Sequence, residues 1–264
     1  MHCIDTARYN LVVGDTDGLL AYKQGERFRV IKGPIFEVDG SDLCPEFASI
    51  SLVSCEILNE KITEYRYDCM YASNPDLTLT LILRVADGSP VVKFKYILRG
   101  NGTRRLTKVR GERLDYCCVQ MRGNETLTEV RFSEFNEMLH SFCLNEVPVK
   151  NSSFEQRMSL MGPLVAGTDS KESFLLAYEH GSQYPDAFVQ FTLSPEKNIS
   201  MNAVKGNYLR GTLLTEEGFE TIWFDFAVAA GGIADVDIHS RHNTVGAQTV
   251  TAGSAVDVDI AGSS

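Results

Sequence analysis

The chain reads as an all-β protein, a large antiparallel β-sandwich, because strand and turn signals alternate along nearly its whole length. Short runs rich in β-branched and aromatic residues are punctuated by Gly, Asp, Asn and Pro. Residues 77–85 and 91–98 keep a period of two around Asp87-Gly88, the pattern of a β-hairpin. Helical periodicity is confined to residues 133–144, where Ser133 could cap Phe135, Met138, Leu139 and Phe142 at near-helical spacing; an extended reading stays open there.

Taken in order, residues 9–13 form a strand that stops at Gly14-Asp15-Thr16-Asp17-Gly18. Residues 19–23, 27–31 and 35–38 follow, separated by Gly25 and Gly33-Pro34 and closed by Asp39-Gly40. Strand character runs from Ser49 to Tyr71, and after the Asp87-Gly88 hairpin Gly100-Asn101-Gly102 turns the chain. Residues 114–120 and 126–132 are further strands. Residues 173–179, 187–193, 199–205 and 219–229 make a meander, the last carrying the single tryptophan, Trp223. Composition then shifts: residues 231–264 hold no aromatic residue, Leu, Lys, Glu, Pro or Cys. So little large apolar surface does not offset chain entropy, and a disordered or weakly docked tail is expected after a sandwich spanning 1–230. The repeats Ala-Asp-Val-Asp-Ile and Ala-Val-Asp-Val-Asp-Ile give that tail some capacity to pair as an edge hairpin.

With 264 residues the chain can bury a large core, and its 44% hydrophobic and 23% charged residues are ordinary for a globular protein. A formal net charge of -10 disfavours nucleic acid as a partner. The densest basic patch, Arg104, Arg105, Lys108, Arg110 and Arg113, alternates with Leu106 and Val109 as a solvated strand face does. No run approaches the ~18 apolar residues of a membrane span, and the first ten residues lack the build of a signal peptide. The 7 cysteines include no C-x-x-C pair, and Cys117 and Cys118 project to opposite faces of a strand. They fit reduced thiols in a cytoplasmic protein. The sequons at Asn101, Asn124, Asn151 and Asn198 are then chance matches.

No phosphate loop, dinucleotide fingerprint, nucleophile elbow or H-E-x-x-H occurs, and no cofactor or metal site is expected. His239 and His242 would share a metal only on a helix, which nothing nearby predicts. Glu216-Glu217 and Asp15/Asp17 read as solvated turns. Asp225, between Phe224 and Phe226, reads as facing solvent. The candidate site is the loop Glu179-His180-Gly181-Ser182-Gln183-Tyr184-Pro185-Asp186, between confident strands. Glu179, His180, Gln183, Tyr184 and Asp186 supply the carboxylates, amide and aromatic face that suit a sugar. A polar hairpin loop whose Ser182 and Asp186 satisfy turn backbone is the competing reading.

The text from Phe174 to Gln183, Pro185-Asp186-Ala187-Phe188, Val204-Lys205-Gly206-Asn207-Tyr208 and Ile222-Trp223-Phe224 resembles bacterial α-galactosidases of glycoside hydrolase family 36. It resembles their N-terminal domain, a galactose-mutarotase-like β-supersandwich preceding a (β/α)8 barrel. The resemblance covers residues 5–230, with its distinctive part in the last quarter. It implies that both catalytic aspartates sit on the barrel, so that no residue here inherits a catalytic role. It also implies a homo-oligomeric parent enzyme. Residues 231–264 match neither a linker helix nor a barrel strand, as a chain cut short, read out of frame or joined to foreign sequence would look. The rivals are a free-standing carbohydrate-binding module, which the lone Trp223 serves poorly, and a structural or oligomerisation domain.

Overall fold

The structure, a computed structural model, describes residues 1–14, 18–86, 88–107, 114–136, 141–149, 158–160, 163–169, 171–179, 188–205, 211–230, 236–240, 247–252 and 257–261, and none of them is helical. β1 (His2–Asp5), β2 (Asn10–Val13), β3 (Leu20–Gln24) and β4 (Arg27–Ile31) form an antiparallel meander. β5 (Phe36–Val38) and β6 (Ser41–Leu43) begin a small second sheet. Next, β7 (Phe47–Ile57), β8 (Ile62–Tyr71), β9 (Thr78–Ala86) and β10 (Val92–Arg99) pair in succession. β11 (Arg105–Leu106) joins β5, and β12 (Leu114–Gln120) lies in another sheet. The chain continues through β13 (Thr126–Asn136), β14 (Ser141–Val149), β15 (Met158–Leu160), β16 (Leu164–Thr168) and β17 (Glu172–Tyr178). Then come β18 (Phe188–Leu193), β19 (Asn198–Lys205), β20 (Thr212–Leu213), β21 (Phe219–Glu220) and β22 (Phe224–Ala230).

The 10-stranded sheet has the order β14-β13-β16-β17-β22-β10-β9-β8-β7, with β21 on β10. The meander β1-β2-β3-β4, the sheet β12-β19-β18-β15 and the sheet β20-β11-β5-β6 share one continuous core with its inner face. Phe94, Tyr96, Phe224 and Phe226 project from the large sheet, where Tyr116 of β12 and Tyr22 of β3 meet Phe224 and Phe226 at 5.4 and 5.6 Å. Tyr9 and Tyr22 stack at 4.5 Å, and their hydroxyls donate to the carbonyls of Val91 and Pro90. Burying these rings removes the most apolar area per residue, which makes them the main cohesive contacts between the layers. The chain is thus the all-β antiparallel sandwich that its periodicity predicts.

The hairpin between β9 and β10 forms as expected, with Val92 opposite Val85 and Arg99 opposite Thr78; Gly88 has φ 80, and Asp87 lies outside the described residues. Other elements differ from expectation. The stretch from Ser49 to Tyr71 is not one run but the hairpin β7/β8, because Asn59 Oδ1 accepts the N–H groups of Lys61 and Ile62 and turns the chain. The helix considered over residues 133–144 is a strand pair, in which Phe135 lies opposite Phe142 in the β13/β14 ladder; residues 137–140 lie outside the described residues. The same apolar residues satisfy either period, and pairing of β13 with β14 and β16 decides. Residues 219–229 divide into β21 and β22 at Thr221, which exchanges hydrogen bonds with the backbone of Tyr96.

β16 escaped the sequence because Leu164–Thr168 is buried on both faces and shows no alternation. A Cβ at Gly167 would stand 2.1 Å from Phe174 Cε1, so glycine there makes room for the ring. In the compositionally distinct tail, β23 (Val236–Ser240), β24 (Ala247–Ala252) and β25 (Asp257–Ala261) form a separate antiparallel sheet. The two acidic-aliphatic repeats flank β24 rather than pairing with each other.

Candidate functional site

The candidate loop begins where β17 ends, and Glu179 is its described member; His180, Gln183, Tyr184 and Asp186 lie outside the described residues. The N–H of Glu179 donates to the carbonyl of Trp223, which sets Glu179 beside the start of β22. Its carboxylate meets Lys93 Nζ of β10 at 2.5 Å. On the far side of the same ammonium, at 3.8 Å, lies Asp225 Oδ1. Register explains the meeting: Asp225 pairs with both Lys93 and Ala177, and Glu179 follows Ala177 by two residues on the same face.

The row continues across the sheet. Lys93 is opposite Arg84 of β9, and Arg84 is opposite Glu64 of β8. Glu64 accepts from both Arg84 and Arg66. Burial would raise its pKa, but these guanidinium hydrogen bonds outweigh that and hold the carboxyl below its ordinary value. The half-buried indole of Trp223 packs against the neighbouring cations, with Arg84 Cζ 4.3 Å and Lys95 Nζ 4.5 Å from the ring centroid. Lys95 also pairs with Glu220.

Asp225 overturns its sequence reading. It does lie on the face opposite Phe224 and Phe226, yet that face is covered, and the side chain is 0% exposed. Among the described residues neither carboxylate oxygen accepts a hydrogen bond. Burial raises its pKa to about 7; Lys93 opposes the rise and Glu179 adds to it. Lys93 keeps its proton firmly: burial lowers its pKa, but Asp225 and Glu179 together leave it raised. Glu216 and Glu217 are exposed, as their turn predicts.

Chemically, the cluster offers an indole face, a shared ammonium and a partly exposed carboxylate at the rim of the candidate loop. Those groups can hydrogen-bond hydroxyls and cover the C–H surface of a sugar ring. They do not form a working glycosidase pair, since a second carboxylate must reach the glycosidic oxygen and Asp225 is sealed beneath Lys93. Sequence reasoning missed Lys93, Arg84 and Asp225 as partners. Their only local signal is outward position in alternating strands.

A cleft of about 520 Å³ is lined by Gly14, Gly18, Gly33, Phe47 and Ile50, with Lys32 and Glu46 as its charged residues. Among the described residues no group of three or more His, Cys, Asp or Glu side chains is placed to hold a metal ion. The cysteines described, Cys3, Cys44, Cys55, Cys69, Cys117 and Cys118, are free thiols; Cys117 is buried and Cys118 half-buried, as opposite faces require.

No protein-family model matches the chain, and no curated protein matches it. Among solved structures the fold is similar to the α-galactosidase AgaA A355E of Geobacillus stearothermophilus, family GH36, in complex with 1-deoxygalactonojirimycin. That likeness has a TM-score of 0.57 at 10% identity over 88% of this chain and 41% of the other. AgaB of the same organism gives 0.56 at 12% identity, over 88% and 40%. The α-N-acetylgalactosaminidase NagBb of Bifidobacterium bifidum gives 0.52 at 9%, over 87% and 36%. At such identities the likeness is one of fold. The chain spans about two fifths of the length of the α-galactosidase structures it matches.

Proposed function

We propose that the chain serves as the non-catalytic sandwich domain of a glycoside hydrolase acting on terminal α-galactosides, shaping the substrate approach and the contacts between subunits. The observation that carries this reading is the fold match, which takes up 88% of this chain and 41% of the α-galactosidase chain. The site chemistry supports it: Glu179 and Asp225, the carboxylates that Lys93 brings together, are arranged for an ion pair and not for attack. The loop at 179–186 and the Trp223 face would then border the route by which a sugar reaches catalytic groups outside these 264 residues.

The test is hydrolysis of an aryl α-galactoside by the purified chain between about pH 4 and 8, the range in which the two carboxylates of a glycosidase titrate. The expected rate equals that of buffer. Turnover that survives repurification and vanishes with Glu179→Gln or Asp225→Asn would overturn the non-catalytic role. A second reading, a carbohydrate-binding module, rests on Trp223, which is half-buried and already carries Arg84 and Lys95 against its ring. In the same samples, a rise in melting temperature with millimolar galactose that Trp223→Ala removes would favour that module over a purely structural domain.

A further inference from the structure

The outward face of β8 and β9 holds two arginines that share one acid. Glu64 is buried, its side chain 3% exposed, and its carboxylate accepts from Arg66 Nε at 2.9 Å and Arg84 Nε at 2.8 Å. Arg66 follows Glu64 by two residues on β8, and Arg84 stands opposite Glu64 on β9. One carboxylate thus balances two guanidiniums and leaves a positive charge over. Trp223 fixes Arg84 from a second side, with Cζ 4.3 Å from the ring centroid. Among the described residues neither Nη group of Arg84 has an acceptor, and of the Arg66 pair only Nη2 does, 2.7 Å from Glu64. The two side chains are 41% and 39% exposed, so their unused forks stand at the surface.

We propose that Arg66 and Arg84 hold the oxyanion of an acidic sugar, a uronate or a sugar phosphate. Guanidinium forks match pairs of carboxylate or phosphate oxygens, and forks already ordered by Glu64 and Trp223 lose little further freedom on binding. Glu64 and Trp223 are positioning residues here, and neither needs to touch the ligand. The neighbouring charges do not offer the same vacancy. Lys95 is paired with Glu220, Lys93 with Glu179, and Asp68 accepts from Thr80 beside Arg99. Glu56 of β7, opposite Glu64, is exposed and has no ion pair among the described residues, so it opposes an incoming anion. Arg84 adjoins Trp223 and stands opposite Lys93, so a sugar held at its oxyanion would extend toward the candidate loop. The choice of a sugar rests on the galactoside reading above, whereas the oxyanion rests on this geometry. Hydrolysis tests the first and binding the second, so either can fail alone.

Trp223 is the single tryptophan, so its indole N–H resonance reports on Arg84 directly. In the full chain at low ionic strength, where such charges are least screened, millimolar galacturonate or galactose phosphate should shift that resonance saturably. Neutral galactose should not. The anion that saturates at the lower concentration identifies the oxyanion. Arg84→Lys keeps a charge beside Glu64 but loses the fork, and Arg66→Gln leaves Arg84 and Trp223 in place. Each should weaken binding about tenfold, the loss expected for a charge-assisted hydrogen bond. Glu56→Gln, at an exposed position, should tighten it. No saturable shift with either anion, or binding unchanged in arginine variants whose melting temperatures show them folded, overturns the site. Galactose that binds as tightly as galacturonate overturns the oxyanion. Inorganic phosphate that binds as tightly as galactose phosphate, with acetate matching galacturonate, overturns the sugar.

Discussion

Asp225 shows how one residue's environment departs from its local pattern. Its neighbours Phe224 and Phe226 enter the core as their alternation requires, but its own face is also sealed. A carboxylate in that position favours its protonated form, and its pKa rises to about 7. The native state therefore holds the proton more tightly than the unfolded chain, whose aspartate titrates near ~4. Stability is fully present below the unfolded value, falls as pH rises through the interval to about 7, and stays lower above it. At full ionisation the penalty is on the order of 3–4 kcal/mol. Asp225→Asn removes the charge at constant shape. Urea unfolding should show the variant more stable than wild type at pH 8, with the advantage gone near pH 4. Equal stability at pH 8 would mean that Lys93 already compensates the buried charge.

Elements distant in sequence are joined by a buried ion-pair network. Arg29 of β4 binds Glu125, which precedes β13, and Glu172 at the start of β17, and all three side chains are almost fully buried. The guanidinium also lies 4.9 Å from the centroid of the Phe174 ring. Arg122 reaches Glu172 at 3.0 Å from the surface, with its side chain 44% exposed. Removing one member of a buried network strands its partners' charges, so Arg29→Met should cost ~3–5 kcal/mol in denaturant unfolding. Arg122→Ala should cost under ~1 kcal/mol, because water screens that pair and Arg29 still holds Glu172. Similar costs for the two would show that the buried pairing is not what ties β4 to β17.

At the scale of the whole molecule, the compositional change after Ala230 coincides with a change of sheet. β22 completes the large sheet between β17 and β10, while β23, β24 and β25 pair among themselves in the described ladders. None of the aromatic residues that bind the sandwich layers lies beyond Trp223, Phe224 and Phe226. A protein ending at Ala230 should accordingly melt within about 2 °C of the full chain, since it keeps every core residue among those described, the last being Val228. A drop of ten degrees or so would show that the tail sheet contributes to the core.

Read alone, the sequence determined what depends on neighbours along the chain. Alternation at the start of β9 and through most of β10, the hairpin between them and the scarcity of helical spacing all follow from local backbone preference. The distinctive text around β17 and β22 also pointed to α-galactosidases of family GH36, whose solved structures are similar to this chain in fold. Tertiary structure alone decided the rest. Phe135 and Phe142 suit a helix or a hairpin until β13, anchored on β16 over Thr126–Val130, pairs with β14. Glu179, Lys93 and Asp225 become a cluster only once β17, β22 and β10, far apart in the chain, come into register. Whether a strand's outward face meets water depends on what packs over it, which alternation along that strand does not encode. That is the physical reason Asp225 reads as solvated in the sequence and is sealed in the fold.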